Sequence, residues 1–194
     1  MLEQYPDGTL FVDLFGGSGL LSHIAKSLKP HSTVIYNDFD NYRFRMKHIP
    51  QTNQLLADIR EMVGNSVPRH KIIKGELRER IFSRIEQEEN TTGYVDFITL
   101  SSSILFSMKY KLSVQDMRKE ALYNNIRKTG YPECADYLEG LEIVSCDYKE
   151  VFNRYKDIPG VVFLVDPPYL STDVGTYNMY WNMADYLDVL NVLK

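Results

Sequence analysis

The 194-residue sequence has no long hydrophobic run, no basic leader and few cysteines. No apolar stretch approaches the roughly 20 residues that a membrane-spanning helix needs, so the sequence does not predict a membrane protein. Residues 1–8 contain neither the basic nor the apolar segment of a secretory signal. Cys134 and Cys146 lack the spacing of a metal site, and two thiols exclude a disulfide scaffold. Together these absences predict a protein of the cytoplasm.

Acidic and basic residues are unevenly distributed along the sequence. The net charge is −4, but residues 60–135 carry +3 and the remainder carries −7. A basic section between acidic ends is typical of a nucleic-acid-facing insertion, although chance explains an excess of this size equally well. The cations expected to contact phosphates lie on one predicted helix, and a second set follows it. The first set is Arg78, Arg80 and Arg84, and the second is Lys109, Lys111, Arg118 and Lys119.

Short apolar runs alternate with helical patterns towards both ends of the sequence. Such alternation predicts a parallel α/β sheet. The predicted strands are Thr9–Leu14, Thr33–Tyr36, Leu141–Ser145 and Gly160–Val165. The predicted helices include residues 20–28 with Ser18 as N-cap, Tyr42–His48, Lys149–Tyr155 and a helix from about Met183.

The α/β rhythm stops in the middle of the sequence. Three helices are predicted there, over Glu76–Glu89, Asp96–Met108 and Val114–Arg127. We therefore expect residues 1–59 and 136–194 to form one domain, and residues 60–135 to form a mainly helical insertion.

A glycine-rich turn, DLFGGSG at residues 13–19, follows the first predicted strand. Such a turn lets the backbone approach a nucleotide-like cofactor, but a tight structural turn has the same composition. It has neither the Lys of a P-loop nor the Gly-x-Gly-x-x-Gly spacing. Asp38, about 20 residues further on, is placed to accept hydrogen bonds from the two hydroxyls of a ribose. Asp38 or Asp40 suits a helix N-cap equally well.

The tetrapeptide Asp166-Pro167-Pro168-Tyr169 follows the last predicted strand. The prolines fix a rigid turn at the carboxyl edge of the sheet, where open α/β sheets bind ligands. The Asp166 carboxylate and the Pro167 carbonyl are two acceptors for an NH₂ group, and Tyr169 can stack on the base that carries it. The alternative, a purely structural turn, is less consistent with the glycine turn upstream.

With FVDLFGGSG, NDFD, SCDYKEVF and VDPPYL in this order, the sequence resembles the Dam-type, D12 class DNA adenine-N6 methyltransferases over residues 8–58 and 136–194. The resemblance implies a Rossmann-like fold dependent on S-adenosylmethionine, with the insertion as target-recognition region. In that family a segment precedes the glycine loop and further strands follow the tetrapeptide. The resemblance therefore predicts that the sheet here is incomplete at both ends.

The resemblance also implies roles for individual residues. The glycine loop that holds the methionine end of the cofactor matches Asp13, Phe15, Gly16, Gly17 and Gly19. Asp38 matches the ribose-binding acid, and Phe39 the residue against the cofactor adenine. Asp147 matches the acid that binds the adenine amine, and Tyr148 packs against that ring. The residues that hold the flipped target adenine match Asp166, Pro167, Pro168 and Tyr169. Asp166 is also expected among the cofactor-binding residues.

The function implied is methyl transfer from S-adenosylmethionine to adenine N6 of double-stranded DNA by direct displacement, in a bacterial or phage-encoded enzyme such as those of restriction-modification. No metal site is expected, because the histidines are scattered. Two alternatives remain: an RNA or protein amino-methyltransferase, and a catalytically dead nucleic-acid-binding remnant. The insertion also lacks sequence stretches common in the family, so the recognition sequence and the oligomeric state are not predicted.

Overall fold

A computed structural model describes residues 2–106, 109–134, 136–167 and 183–192. The chain divides into two compact units. The first comprises Met1–Met46 and Cys134–Lys194, and the second comprises Lys47–Glu133. The first unit contains the parallel sheet, and the second unit is mainly helical.

Helices and strands alternate in the first unit, whereas helices dominate the second. The elements after a short 3₁₀ helix at Leu2–Gln4 are β1 (Phe11–Asp13), α1 (Leu20–Leu28), β2 (Val34–Asn37), α2 (Tyr42–Lys47), α3 (Ile49–Val63), β3 (Ile72–Ile73), α4 (Gly75–Thr92), α5 (Phe97–Ile104), α6 (Val114–Arg118), β4 (Leu122–Tyr123), β5 (Glu142–Val144), α7 (Tyr148–Tyr155), β6 (Val162–Leu164) and α8 (Met183–Val192).

Within the described residues of the first unit, four strands form one parallel sheet in the order β5-β2-β1-β6, which confirms the predicted Rossmann-like α/β class. The chain moves outward from β1 to β2 and β5 and then returns to the other side of β1. Strand order therefore reverses between β1 and β6, where Asp13 lies opposite Leu164. In open α/β sheets the crevice at such a reversal binds ligands.

The central strands are buried on both faces, as the apolar composition of their sequences requires. Alternate residues of β1 enter different cores, because successive side chains of a strand point to opposite faces. Phe11 packs with Ala25 and Val34 on one face. Val12 packs with Ile35 on the other. Burial of both faces fixes the positions of the loops that follow these strands.

The second unit has its own core, built mainly between α3, α4 and α5, with Ile59, Phe82 and Leu100 fully buried. The helix predicted over Val114–Arg127 is wrong beyond Arg118. Leu122 instead pairs with Ile73 in a two-stranded antiparallel sheet. Both side chains are fully buried, so this long-range pairing overrides the local helical pattern.

The N-cap predicted at the start of α1 is also wrong. Gly19 occupies the cap position with φ of 78°, in the left-handed region that favours glycine, and no side chain caps the helix. Ser18 precedes this turn and is not the cap residue. Among the helices that the structure describes, none is long and apolar enough to span a membrane.

Candidate active site

The predicted site residues follow the carboxyl ends of neighbouring strands. The glycine loop follows β1, and Asp166 and Pro167 follow β6, which pairs directly with β1. Asp166 is exposed, and its charge affects the pKa of Asp13. Pro168 and Tyr169 lie outside the described residues. The sheet thus brings the glycine loop and the first half of the tetrapeptide to the same edge, after neighbouring strands.

Asp13 lies at the end of β1 with only 1% of its surface exposed. Its Oδ2 accepts a hydrogen bond from Ser22 Oγ at 2.7 Å, and its carboxylate also accepts backbone hydrogen bonds from Phe15 and Gly16. Burial raises the pKa of Asp13 to about 6, although these hydrogen bonds oppose the rise; the charge of Asp166 adds to it. The buried carboxylate of Asp13 therefore fixes the backbone of the glycine loop through these hydrogen bonds.

The glycine loop packs directly against the end of β2. A Cβ atom on Gly16 would lie 2.2 Å from the backbone oxygen of Asn37 and 2.5 Å from the ring of Tyr36. No larger residue fits there without moving the strand. The ring of Phe15 packs against that of Tyr148, with 4.9 Å between their centroids.

Asp38 lies just beyond β2 and is 4% exposed. Its Oδ1 accepts from the backbone N–H of Tyr42 at 2.5 Å and from Tyr36 Oη at 3.1 Å. Its Oδ2 accepts from the N–H of Arg43 at 3.2 Å. Asp38 therefore caps the N-terminus of α2, one of the alternatives that the sequence left open. A carboxylate has about four acceptor positions, so Oδ2 retains capacity for a further donor.

Phe39 and Asp147 flank this acid at the edge of the sheet. The ring of Phe39 is 37% exposed, and Asp38 N–H donates to the Val144 carbonyl at 2.8 Å, so the ends of β2 and β5 lie side by side. Asp147 caps α7 by accepting from the N–H of Lys149 at 2.8 Å. Tyr148 is 7% exposed and belongs to the core.

Two residues at the end of β2 belong to the site but were not singled out from the sequence. Tyr36 Oη lies 2.9 Å from the carbonyl oxygen of Gly17, and the Asn37 amide contacts the loops after β1 and β5. Both are fully buried. The signal was available, because a Tyr-Asn pair ends an otherwise apolar strand just before the candidate acid.

These groups fit a ligand that combines a flat base, a ribose and a positively charged amino-acid end. Asp38 has acceptor capacity for a hydroxyl, and the exposed ring of Phe39 lies beside it. Asp13 and Asp166 place two carboxylates where the glycine loop meets β6, which favours a cation. S-adenosylmethionine has all three features.

The basic residues of the second unit differ in their partners. On the helices, Arg84 contacts Asp58 and Glu88 at 2.8 Å each, and Arg118 contacts Glu79 at 2.7 Å. Arg80 on α4 is exposed and forms no ion pair among the described residues. Around the β3–β4 sheet, residues 65–75 and 121–132 contain no Asp or Glu. Their exposed cations form no ion pair within the described part of the chain. These are Arg69, Lys71, Lys74, Arg127 and Lys128.

Comparison with known proteins places these features in a family context. The sequence model of the family described as D12 class N6 adenine-specific DNA methyltransferase matches residues 1–189. A protein of Haemophilus influenzae named "Putative methyltransferase" is 38% identical over 190 residues. The match covers 97% of this chain, and the chain spans 63% of the length of that curated relative. No solved structure matches the chain.

Proposed function

The chain belongs to the D12 class N6 adenine-specific DNA methyltransferase family, and from this premise we propose that it methylates adenine N6 in double-stranded DNA. One structural observation supports this proposal at the level of individual residues. The glycine loop and the Asp166-Pro167 turn follow β1 and β6, the paired strands between which strand order reverses. A cofactor and a target amine would therefore meet in one crevice.

The residues of the first unit suit S-adenosylmethionine as the methyl donor. When bound, it supplies a methyl group activated by a positively charged sulfur. Asp38 would bind the ribose, and Phe39 would pack against the adenine, whose amine Asp147 would bind. The glycine loop, held by Asp13, would contact the methionine end. Tyr148 would contribute through Phe15, against which its buried ring packs.

Asp166 and Pro167 would act on the target amine. The Asp166 carboxylate and the Pro167 carbonyl would accept its two N–H groups, which directs the nitrogen lone pair towards the methyl carbon. The negative carboxylate would also stabilise the positive charge that develops on nitrogen during direct displacement. Tyr169 would stack on the adenine, which must leave the duplex to reach these groups.

The surface around β3 and β4 is the better candidate for DNA contact in the second unit. Its five exposed cations form no ion pair among the residues that the structure describes, whereas Arg84 and Arg118 pair with carboxylates. Unpaired surface cations release counterions from DNA when they contact phosphates, and this drives binding. We therefore assign phosphate contact to the β3–β4 surface in preference to α4.

The test is transfer of a tritiated methyl group from S-adenosylmethionine to duplex DNA, RNA and a glutamine-containing peptide, offered in parallel to the full chain. We expect label in DNA only, as N6-methyladenine after digestion to nucleosides. Label confined to RNA or peptide would overturn the choice of substrate. A chain that binds DNA but neither binds the donor nor transfers its methyl group would support the catalytically dead alternative.

A further inference from the structure

The side chain of Asn37 joins three strand ends at the carboxyl edge of the sheet. Its Nδ2 donates to the Leu14 carbonyl at 2.9 Å and to the Cys146 carbonyl at 3.0 Å. Its Oδ1 accepts from the Cys146 N–H at 3.1 Å. Both amide hydrogens and the amide oxygen are thus used, in a side chain that is 1% exposed.

The two partners of Asn37 are the residues from which the candidate cofactor loops begin. Leu14 is the first residue of the glycine loop after β1, and Cys146 directly precedes Asp147. Neither contact belongs to the ladder of the sheet, because the paired residues of β1 end at Asp13 and those of β5 end at Val144. The amide therefore fixes the backbone one residue beyond β1 and two residues beyond β5.

We infer that Asn37 is a positioning residue that fixes the glycine loop and the Asp147 loop at a set separation, so that both ends of one cofactor are held together. The inference rests on the proposed function, because it concerns the site of the same cofactor. An aliphatic residue would fill the space but would leave two buried carbonyls and one N–H without these partners. Each loop would then move independently of the other.

The chemistry of Asn is well suited to this position. The groups to be satisfied are two carbonyl oxygens and one N–H, which need two donors and one acceptor. Asp offers acceptors only when it is ionised, and Ser has one hydroxyl that cannot span both carbonyls. A neutral planar amide also avoids the cost of a buried charge.

The test compares Asn37→Ala with Val34→Ala, a cavity-forming change in the same strand whose side chain packs away from both loops. We expect Asn37→Ala to raise the dissociation constant of S-adenosylmethionine at least tenfold. Val34→Ala should change it by less than twofold, even at an equal loss of melting temperature. Equal weakening in both variants would overturn the inference, since it would show a purely structural role.

Backbone hydrogen exchange provides a readout that does not depend on the cofactor. In Asn37→Ala, exchange should accelerate at least tenfold in peptides covering residues 14–19 and 145–149, and remain unchanged in α4. Unchanged exchange at both loops would overturn the inference. If the wild-type chain fails to bind S-adenosylmethionine, the proposed function fails, and the exchange comparison still decides whether Asn37 holds the loops. Asn37→Ser replaces Asn37→Ala if the alanine variant does not fold.

Discussion

The hydroxyl of Tyr36 lies 3.1 Å from the carboxylate of Asp38 and 2.9 Å from the carbonyl oxygen of Gly17. One buried group thus links the candidate ribose acid with the glycine loop. The pKa of Tyr36 is raised, first by burial and then by the charge of Asp38, so the hydroxyl remains a donor throughout the physiological range.

Removing this hydroxyl should weaken the cofactor site and the fold by similar amounts. In Tyr36→Phe we expect a loss of about 1 kcal/mol in unfolding free energy, the usual value for one buried hydrogen bond. The affinity for S-adenosylmethionine should fall roughly fivefold, because Asp38 and Gly17 lose a shared donor. Calorimetry measures the affinity, and urea unfolding measures the stability.

Tyr5→Phe is the matched control, because Tyr5 packs edge-on against Phe11, away from the loops. It makes the same chemical change in the same unit and should leave the affinity unaltered. An equal loss of affinity in both variants would contradict a role for Tyr36 in the cofactor site.

Asp38 should contribute to both cofactor binding and folding, since its carboxylate also caps α2. In Asp38→Ala we expect a loss of about 1 kcal/mol of stability from the cap. We expect a further loss of roughly 1–3 kcal/mol of cofactor binding free energy, because the ribose hydroxyls lose a charged acceptor. Asp40→Ala is the control. A larger loss of binding in the control would mean that Asp40 is the ribose acid.

The strands and turns at the carboxyl edge of the sheet were predictable from sequence, whereas the second unit was less so. Phe11–Asp13 and Val34–Asn37 lie within or overlap apolar runs bounded by Gly, Asn and Asp, which are strong local signals. The β3–β4 pair joins two-residue strands about 50 residues apart in sequence. No local pattern specifies such a pairing, because it depends on the burial of Ile73 and Leu122.

Within the site, the sequence indicated residue types but not their partners. It left open whether Asp38 caps a helix, and the structure shows that it does. It gave no reason to expect that the buried amide of Asn37 contacts residues 23 and 109 positions away. The pairing of Arg118 on α6 with carboxylates of α4 was equally invisible, because those contacts form only when the two helices pack together.

Asp13 should make stability depend on pH in a defined window. Its pKa is raised from 3.8 to about 6, so the folded state binds the proton more tightly than the unfolded state does. This contribution to stability is fully present below about pH 4 and is lost as the pH rises through about 6. It is of the order of 3 kcal/mol at most.

The measurement compares urea unfolding of the wild-type chain and Asp13→Asn from pH 4 to pH 8. The stability of the wild type relative to the variant should decrease between about pH 4 and pH 6 and then stay constant. A relative stability that increases over this range would show that the pKa of Asp13 is lowered in the fold.

Asp166 should be needed for methyl transfer but not for folding. In Asp166→Ala we expect transfer to DNA to fall at least about 100-fold, because the amine loses a charged acceptor that stabilises the developing positive charge. The melting temperature should be unchanged, since Asp166 is exposed, and the affinity for S-adenosylmethionine should stay within a few-fold of wild type. Asp157→Ala, which removes another exposed acid from the same unit, is the control. Near-normal turnover in Asp166→Ala would contradict the assignment.

The β3–β4 surface should determine the salt dependence of DNA binding. Lys71, Lys74 and Lys128 are exposed and form no ion pair among the described residues. If each contacts one phosphate, replacing all three with Ala should reduce the slope of log affinity against log salt by about 3. Fluorescence anisotropy with a duplex at several salt concentrations measures the slope.

The control is a triple variant with the same loss of charge in the same unit. Lys109, Lys111 and Lys119 all pair with carboxylates: Lys109 and Lys111 contact Glu120 at 2.7 and 3.2 Å, and Lys119 contacts Asp116 at 2.7 Å. Such surface pairs contribute roughly 0–1 kcal/mol, so alanine at these positions should leave the fold intact. We expect the slope of this variant to stay close to that of the wild type. If it flattens as much as the β3–β4 variant does, net charge rather than a defined surface governs binding, and the assignment to the β3–β4 surface is wrong.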